Sequence, residues 1–317
     1  MTVVVLGSAN LDLVYRVERI PGGGETVLAI DAAEHPGGKG NNQAIAAVRA
    51  GAHTRFIAAL GNDEHGDRLA ATLAESGVDP LLRRVDAPTG TALITVDANG
   101  ENSIVVSQGA NGLLVDVTDA ERAIIREGDY LLVQLEIPLH TVIDAATAAH
   151  ANESIVVLNA APIRALPHDL TDNVDILVVN EHEALLLAAQ IAPELTLPRA
   201  ISIDGARDIV SILLRVVPSV VVTLGGSGSI VLTREMGDAP AAHVPAARVA
   251  TVDTTGAGDT FCGALVAELD RGADLIAAAE FASAAAGLAV QVHGAVSSIP
   301  GRESIVASRA TLPPTAP

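Results

Sequence analysis

Aromatic side chains make up only 2% of the 317 residues, tryptophan is missing, and the chain holds one cysteine and one lysine. Each scarcity excludes something. A core without large rings must be filled by Ala, Val, Leu and Ile, and the 49% hydrophobic content supplies them amply. The lone thiol, Cys262, cannot support an intrachain disulfide framework and reads as inert core on a helix. Positive charge is also short: 38 acidic residues stand against 19 basic ones, a net charge of -19. Such a surface repels nucleic acid and anionic membranes, so no nucleic-acid or membrane partner is expected. No run of about 18 apolar residues suggests a membrane span. The N-terminus enters Val3-Val4-Val5-Leu6 with no basic segment ahead of a long apolar stretch. A cytoplasmic protein is expected.

What is present is an alternation of short β-rich apolar runs with helical patterns. Strands are expected over 3–6, 56–60, 130–134, 155–158, 176–179, 220–224 and 230–232, and helices near 42–50, 63–76, 139–150, 181–190, 206–216, 259–271 and 275–290. That order predicts an α/β fold, a doubly wound and mostly parallel central sheet flanked by helices. Two stretches break the alternation. Residues 13–36 mix polar and apolar positions around a Pro-Gly-Gly-Gly turn, and residues 89–107 read as a hairpin over 91–96 and 103–106 around Asp97-Ala98-Asn99-Gly100. Neither carries a crossover helix, so the two are expected to pair as a small β-sheet lid. The resulting division is 1–12, 37–87 and 108–317 for the α/β domain, and 13–36 and 88–107 for the lid.

Two glycine-rich stretches carry the chemistry. The first, His35-Pro36-Gly37-Gly38-Lys39-Gly40-Asn41-Asn42-Gln43-Ala44, contains the chain's only lysine; the other 18 basic residues are all arginine. Alone it reads equally as a glycine turn with a solvated lysine, and it lacks the spacing of a P-loop. In a closed site Lys39 would serve as a compact point donor, which arginine's planar fork does not imitate. The second stretch, Val252-Asp253-Thr254-Thr255-Gly256-Ala257-Gly258-Asp259-Thr260, opens a long apolar helix. Its glycines leave unpaired amides at a helix N-terminus, a nest suited to an anion such as a transferring phosphoryl group. Asp259 in that first turn either caps the helix or takes a proton from an attacking hydroxyl. Gly7-Ser8-Ala9-Asn10-Leu11-Asp12 follows the first strand at its carboxyl end, where α/β ligands bind. Asn10 and Asp12, two apart in an extended segment, share one face as vicinal sugar hydroxyls require; an Asx turn is the competing reading.

Together, Gly-Gly-Lys-Gly-Asn-Asn-Gln-Ala and Asp-Thr-Thr-Gly-Ala-Gly-Asp resemble the two signatures of the ribokinase-like (PfkB) family of carbohydrate kinases. They stand in the family's order and separation, and the similarity runs from Val3 to about Pro300. The Gly-Ser-x-Asn-x-Asp opening, Gln134-Leu135-Glu136 and Val179-Asn180-Glu181-His182-Glu183 match the ribose-phosphorylating branch. Asn41 departs from it, since Ala is usual there, and so does Gly226, a position often Ser or Ala. The resemblance implies ATP-dependent phosphorylation of D-ribose at its 5-hydroxyl, with Asp259 as base and the amides of Gly256, Ala257 and Gly258 as anion hole. It implies that Asn10, Asp12, Gly38, Lys39, Asn42 and Glu136 hold the sugar, with Ala92, Ile94 and Val106 over its apolar edge. Asn180, Thr223, Gly225 and Gly228 would border the nucleotide, and Asn180 with Glu183 would organise Mg²⁺, partly through water. Without the resemblance Glu183 reads as a solvated helix residue. A monovalent cation, K⁺, is implied between Asp253 and Ser298 side chains and the carbonyls of Thr255, Ala289, Val292 and Gly294. The resemblance also implies a homodimer joined through the lid, whose sheet edges call for covering.

Two other readings stay open at this stage. One is a family kinase of another small sugar or a nucleoside, against which the lid offers a single aromatic, Tyr15. The other is a non-catalytic sugar-binding regulator, against which Asp259 and the glycines are all present.

Overall fold

Val3-Val4-Val5-Leu6 forms the first strand, β1, and its side chains are fully buried on both faces: Val4 and Leu6 toward one apolar layer, Val3 and Val5 toward the other. Burial on two faces is what a parallel sheet between helical layers demands. The structure is a computed structural model, and it describes residues 1–201, 203, 205–312 and 315. The remaining strands are β2 Asn10–Arg16, β3 Asp31–Gly37, β4 Thr54–Gly61, β5 Asp79–Val85, β6 Gly90–Val96, β7 Asn102–Ser107, β8 Tyr130–Val133, β9 Ile155–Asn159, β10 Ile176–Asn180, β11 Ser219–Thr223, β12 Ser229–Thr233 and β13 Ala242–Val244. The helices are α1 Lys39–Arg49, α2 Glu64–Glu75, α3 Asp119–Glu127, α4 Leu139–His150, α5 His168–Thr171, α6 Glu181–Ile191, α7 Ala206–Leu213, α8 Ala257–Asp270, α9 Leu275–Ala289, α10 Ala295–Ser298 and α11 Arg302–Arg309.

The main sheet runs β13-β12-β11-β10-β9-β8-β1-β4-β5, parallel from β11 to β5, with β12 and β13 added antiparallel at one edge. Helices α3, α4, α6 and α7 cover one face, through Ile125, Val142, Leu187 and Ile209 among others. Helices α1, α2, α8, α9 and α11 cover the other, through Ile45, Leu73, Phe261, Phe281 and Ile305. The fold is therefore α/β and doubly wound. No helix among the described residues is long and apolar enough to cross a membrane.

A second sheet of four strands, ordered β3-β2-β6-β7, stands beside the first. Its hairpin β6–β7 turns at Asp97–Gly100, where the Gly100 N–H donates to the Asp97 carbonyl at 3.1 Å. Strand β2 begins at Asn10, so the small sheet grows directly from the carboxyl end of β1. Asn10 and Asp12 lie in that strand and not in an Asx turn.

Strands β5 and β13 and helices α3, α5, α10 and α11 lie outside the expected ranges, and α1 begins earlier than expected. Strand β5 carries Pro80, Arg83 and Arg84 and looks like a loop; it is an edge strand, where proline and charge are tolerated and discourage further pairing. Helix α3 is short and charged, and begins with a capping box between Thr118 and Glu121. Helix α1 starts at Lys39, three residues before the apolar pattern does, which draws the Lys-Gly-Asn-Asn run into its first turn.

Helices α1 and α8 pack unusually closely. A Cβ on Gly263 would lie 2.5 Å from both the Gln43 carbonyl oxygen and the Ala46 Cβ. Only a residue with no side chain lets the two helices touch there. Gly263 follows Asp259 by one helical turn, so this contact brings the Asp259 carboxylate against the first turn of α1.

Candidate active site

The carboxylate of Asp259 is buried and held by two amides of α1. Asn42 Nδ2 donates to Oδ2 at 3.0 Å, and Gln43 Nε2 donates to Oδ1 at 2.9 Å. Helix α8 starts immediately before it, with Gly256 as N-cap at a left-handed φ of 72°. A Cβ there would lie 2.9 Å from that of Ala295, so glycine is required for the turn and for the approach. The Ala257 N–H closes a turn on the Thr254 carbonyl at 3.2 Å. The amides of Gly256 and Gly258 have no partner among the described residues, so two of the three expected anion-hole donors stand ready.

The first-signature residues converge from the other side. Glu136 accepts from Ser8 Oγ at 2.5 Å and from the Lys39 N–H at 3.1 Å, tying the segments after β1 and β8 to the start of α1. Asn10 accepts from Asn111 Nδ2 at 2.7 Å, and Asn111 also binds the N–H and carbonyl of Ala9. The register of the small sheet sets Asp12, Ala92 and Val106 in one row, with Ile94 two residues along on the same face. Ala92 is buried and Val106 exposed.

Three carboxylates act on one ammonium, and a fourth, Asp12, is repelled by two of them. Burial works to lower the pKa of Lys39, but Asp259, Glu136 and Glu183 overcome it and hold the group above its ordinary value. Burial, then repulsion by Glu136 and Asp259, pushes the Asp12 carboxyl up to about 7. Burial also raises Glu183, opposed by the Asn180 N–H and by Lys39. Glu183 is thus a buried residue, not the solvated one its helical position alone suggests. Asn180 and Glu183 form a capping box at the start of α6: each side-chain oxygen accepts the other's N–H at 2.8 Å. One oxygen of each is committed, leaving Glu183 Oε1 as the free acid oxygen of the pair. That donor set suits a hydrated Mg²⁺ held through water better than direct ligation by both residues. Among the described residues no group of three His, Cys, Asp or Glu is placed to hold a metal.

Two cavities meet at the head of α8. The larger, about 610 Å³, is lined by Thr223, Gly225, Gly228, Ala247, Arg248 and Gly287 among others. The smaller, about 230 Å³, holds Lys39, Asn180, Glu183, Asp259 and Cys262. They share Thr223, Thr254 and Gly258. Cys262 is buried, and its thiol is pushed far up, first by burial and then by Asp259, which keeps it unreactive as expected. Beside the α8 head, Asp253 accepts from the N–H groups of Thr255 and Gly294, each at 2.9 Å. Burial would raise its pKa, but these bonds and the nearby His293 hold it below the usual carboxylate range. Ser298 Oγ is buried and donates to the Ala295 carbonyl at 2.8 Å, while the Ala289 carbonyl already accepts the Val292 N–H at 3.1 Å. Four further residues take part: Ser8 and Gln43, which lie inside the motifs but had no role attached, and Asn111 and Asn159, which lie in none; Asn159 accepts from Gln43 at 3.0 Å.

A buried carboxylate at a helix head, with one cavity for a larger ligand and a polar pocket beside it, defines a site for moving a group between two bound molecules. The pfkB family carbohydrate kinase model matches residues 1–302. Ribokinase of Staphylococcus aureus (strain COL) is 39% identical over 310 residues, covering 96% of this chain and 98% of that one. Ribokinase of Bacillus subtilis (strain 168) is 36% identical over 309 residues, covering 96% and 97%. The structure of Arabidopsis thaliana ribokinase complexed with ribose and ATP superposes with a TM-score of 0.86 at 34% identity, covering 97% of this chain and 98% of that one. The chain belongs to the pfkB family of carbohydrate kinases.

The raised Asp12 has a consequence for stability. Between about 3.8 and about 7 the folded protein keeps a proton that the unfolded chain has released, so stability falls as pH rises through that window. Asp12→Asn is expected to raise Tm above about pH 7, with the gain shrinking toward acid. Thermal melts across that range decide it, and a difference that does not vary with pH would contradict the assignment.

Proposed function

We propose that the protein transfers the γ-phosphoryl group of ATP to the 5-hydroxyl of D-ribose. The observation that carries this reading is the Asp259 carboxylate, fixed by Asn42 and Gln43 where the two cavities meet. Similarity to the ribokinases, among them the plant enzyme bound to ribose and ATP, supports the choice of sugar and nucleotide.

In this mechanism Asn10, Asp12, Gly38, Lys39, Asn42 and Glu136 hold the sugar hydroxyls, with Ala92, Ile94 and Val106 over the ring. Asp259 accepts the proton of the 5-hydroxyl as its oxygen bonds to the γ-phosphorus and the bond to the ADP oxygen breaks. Gly256 and Gly258 donate their free amides to the charge on the transferring group, with Ala257 between them, and Lys39 adds its ammonium. Thr223, Gly225, Gly228 and Asn180 border the nucleotide. Asn180 and Glu183 would hold Mg²⁺, partly through water, and the ion would supply neutralisation of the phosphate charge. The lid, with the proposed boundaries 13–36 and 88–107 and built on the small sheet, closes over the sugar and excludes water that would hydrolyse ATP.

Two further parts belong to the reading. Asp253, kept anionic, Ser298 and the carbonyls of Thr255, Ala289, Val292 and Gly294 would hold K⁺ behind the anion hole, an all-oxygen set that suits a hard cation. K⁺ is then expected to raise kcat well above the rate in Li⁺ at equal ionic strength, and equal rates would remove the site. Strand β7 is a sheet edge exposed along its length, with apolar Ile104, Val105 and Val106. Two such edges would pair to form a homodimer in the cytoplasm; sedimentation as a monomer would exclude it.

Asp259→Asn keeps the shape of the pocket and removes the base. Its kcat is expected to fall by about 10²–10⁴-fold or more with ribose still bound. Turnover above about a tenth of wild type would remove Asp259 from that role.

A further inference from the structure

Gln43 sits in the first signature but reaches neither cavity. It is fully buried between α1, α8 and the ends of β8 and β9. Gln134 Nε2 donates to Gln43 Oε1 at 2.6 Å, which fixes which end of the Gln43 amide is oxygen. Its nitrogen must then face Asp259 Oδ1, at 2.9 Å, and Asn159 Oδ1, at 3.0 Å, and both its hydrogens are spent. Asn159 is oriented in turn, since its Nδ2 donates to the Val178 carbonyl at 3.3 Å. Reversing the Gln43 amide would set oxygen against the Asp259 carboxylate and nitrogen against the Gln134 nitrogen. The frame therefore has one arrangement.

It is kept at a cost. Gln134 Oε1 is buried without a hydrogen-bond partner. An apolar filling would avoid that loss, so stability alone does not account for these amides. Their result is geometric: Gln43 tethers one oxygen of Asp259 while Asn42 tethers the other. Rotation of the carboxylate about its Cβ–Cγ bond is blocked, and each oxygen keeps a lone pair free for a substrate hydroxyl.

We propose that Gln43, oriented by Gln134 and Asn159, is a positioning residue that aims the Asp259 carboxylate at the acceptor hydroxyl. The proposal rests on Asp259 being the base. Gln43→Met keeps length and approximate volume but removes both donors. It is expected to lower kcat about 10- to 100-fold, as misplacement of a reacting group does, while the KM for ribose changes less than about twofold. In an Asp259→Asn background the same change is expected to have no further effect on residual turnover, because Gln43 acts only through that carboxylate. Gln43→Glu keeps the acceptor for Gln134 but places a second carboxyl beside Asp259. Its profile of kcat against pH is expected to gain an ionisation that wild type lacks, since the two carboxyls titrate as a pair.

A Met variant within about threefold of wild-type kcat would overturn the proposal, as would a loss that persists in full with Asp259→Asn. If the Met variant does not fold, a Glu-variant profile parallel to that of wild type overturns it. An active Asp259→Asn enzyme would instead overturn the base assignment, so the two failures are read separately.

Discussion

The site depends on the contact between α1 and α8. Because Gly263 has no side chain, the two helices meet closely enough for the amides of Asn42 and Gln43 to grip the carboxylate of Asp259. That contact joins the two glycine-rich signatures, which lie more than two hundred residues apart in sequence. It also places the free amides at the head of α8 beside the ammonium of Lys39. The central sheet supports this arrangement by presenting the carboxyl ends of β1, β8, β9 and β10 to one region, where an open α/β fold binds its ligands.

The solitary lysine sits among opposite charges. In a chain of net charge -19, Lys39 is the ammonium enclosed by Asp259, Glu136 and Glu183. Its compact ammonium lies in their field from the first turn of α1, where a planar guanidinium needs more room and a different geometry. Burial raises both Asp12 and Glu183; repulsion by Glu136 and Asp259 adds to it at Asp12, while Lys39 opposes it at Glu183. Excess acid oxygens suit a ligand rich in hydroxyl donors. In the proposed mechanism the polyanionic nucleotide is received elsewhere, in the larger cavity lined by Gly225, Gly228 and Arg248.

The layered α/β fold and most central strands were legible in the sequence, because strands buried on both faces are written as unbroken apolar runs. Edge strand β5 was not, since an edge is marked by the proline and arginines that also mark loops. Asp259 and the glycines stood out because an acid and glycines at a helix head form a recognisable pattern, although the choice between cap and base came from the family resemblance. The amides of Gln43 and Gln134, which lie inside the motifs, and of Asn159 and Asn111, which lie in none, could not be assigned their roles from the sequence. They act through partners 91 to 216 residues away, and a buried amide leaves no periodic trace. Asn180 and Glu183 stood out as a pair only through the family resemblance, and the capping box that occupies one oxygen of each became visible only in three dimensions.

The account turns on a phosphoryl group passing from the nucleotide cavity to a hydroxyl beside Asp259. The most direct test is ³¹P and ¹³C NMR of the products formed from ATP with each of a panel of pentoses, hexoses and nucleosides. The account predicts ADP and ribose 5-phosphate from D-ribose, the phosphorus coupled to C5, at a higher kcat/KM than for any other acceptor. Phosphate on another carbon, a preferred acceptor other than ribose, or ADP formation that does not depend on sugar would contradict it.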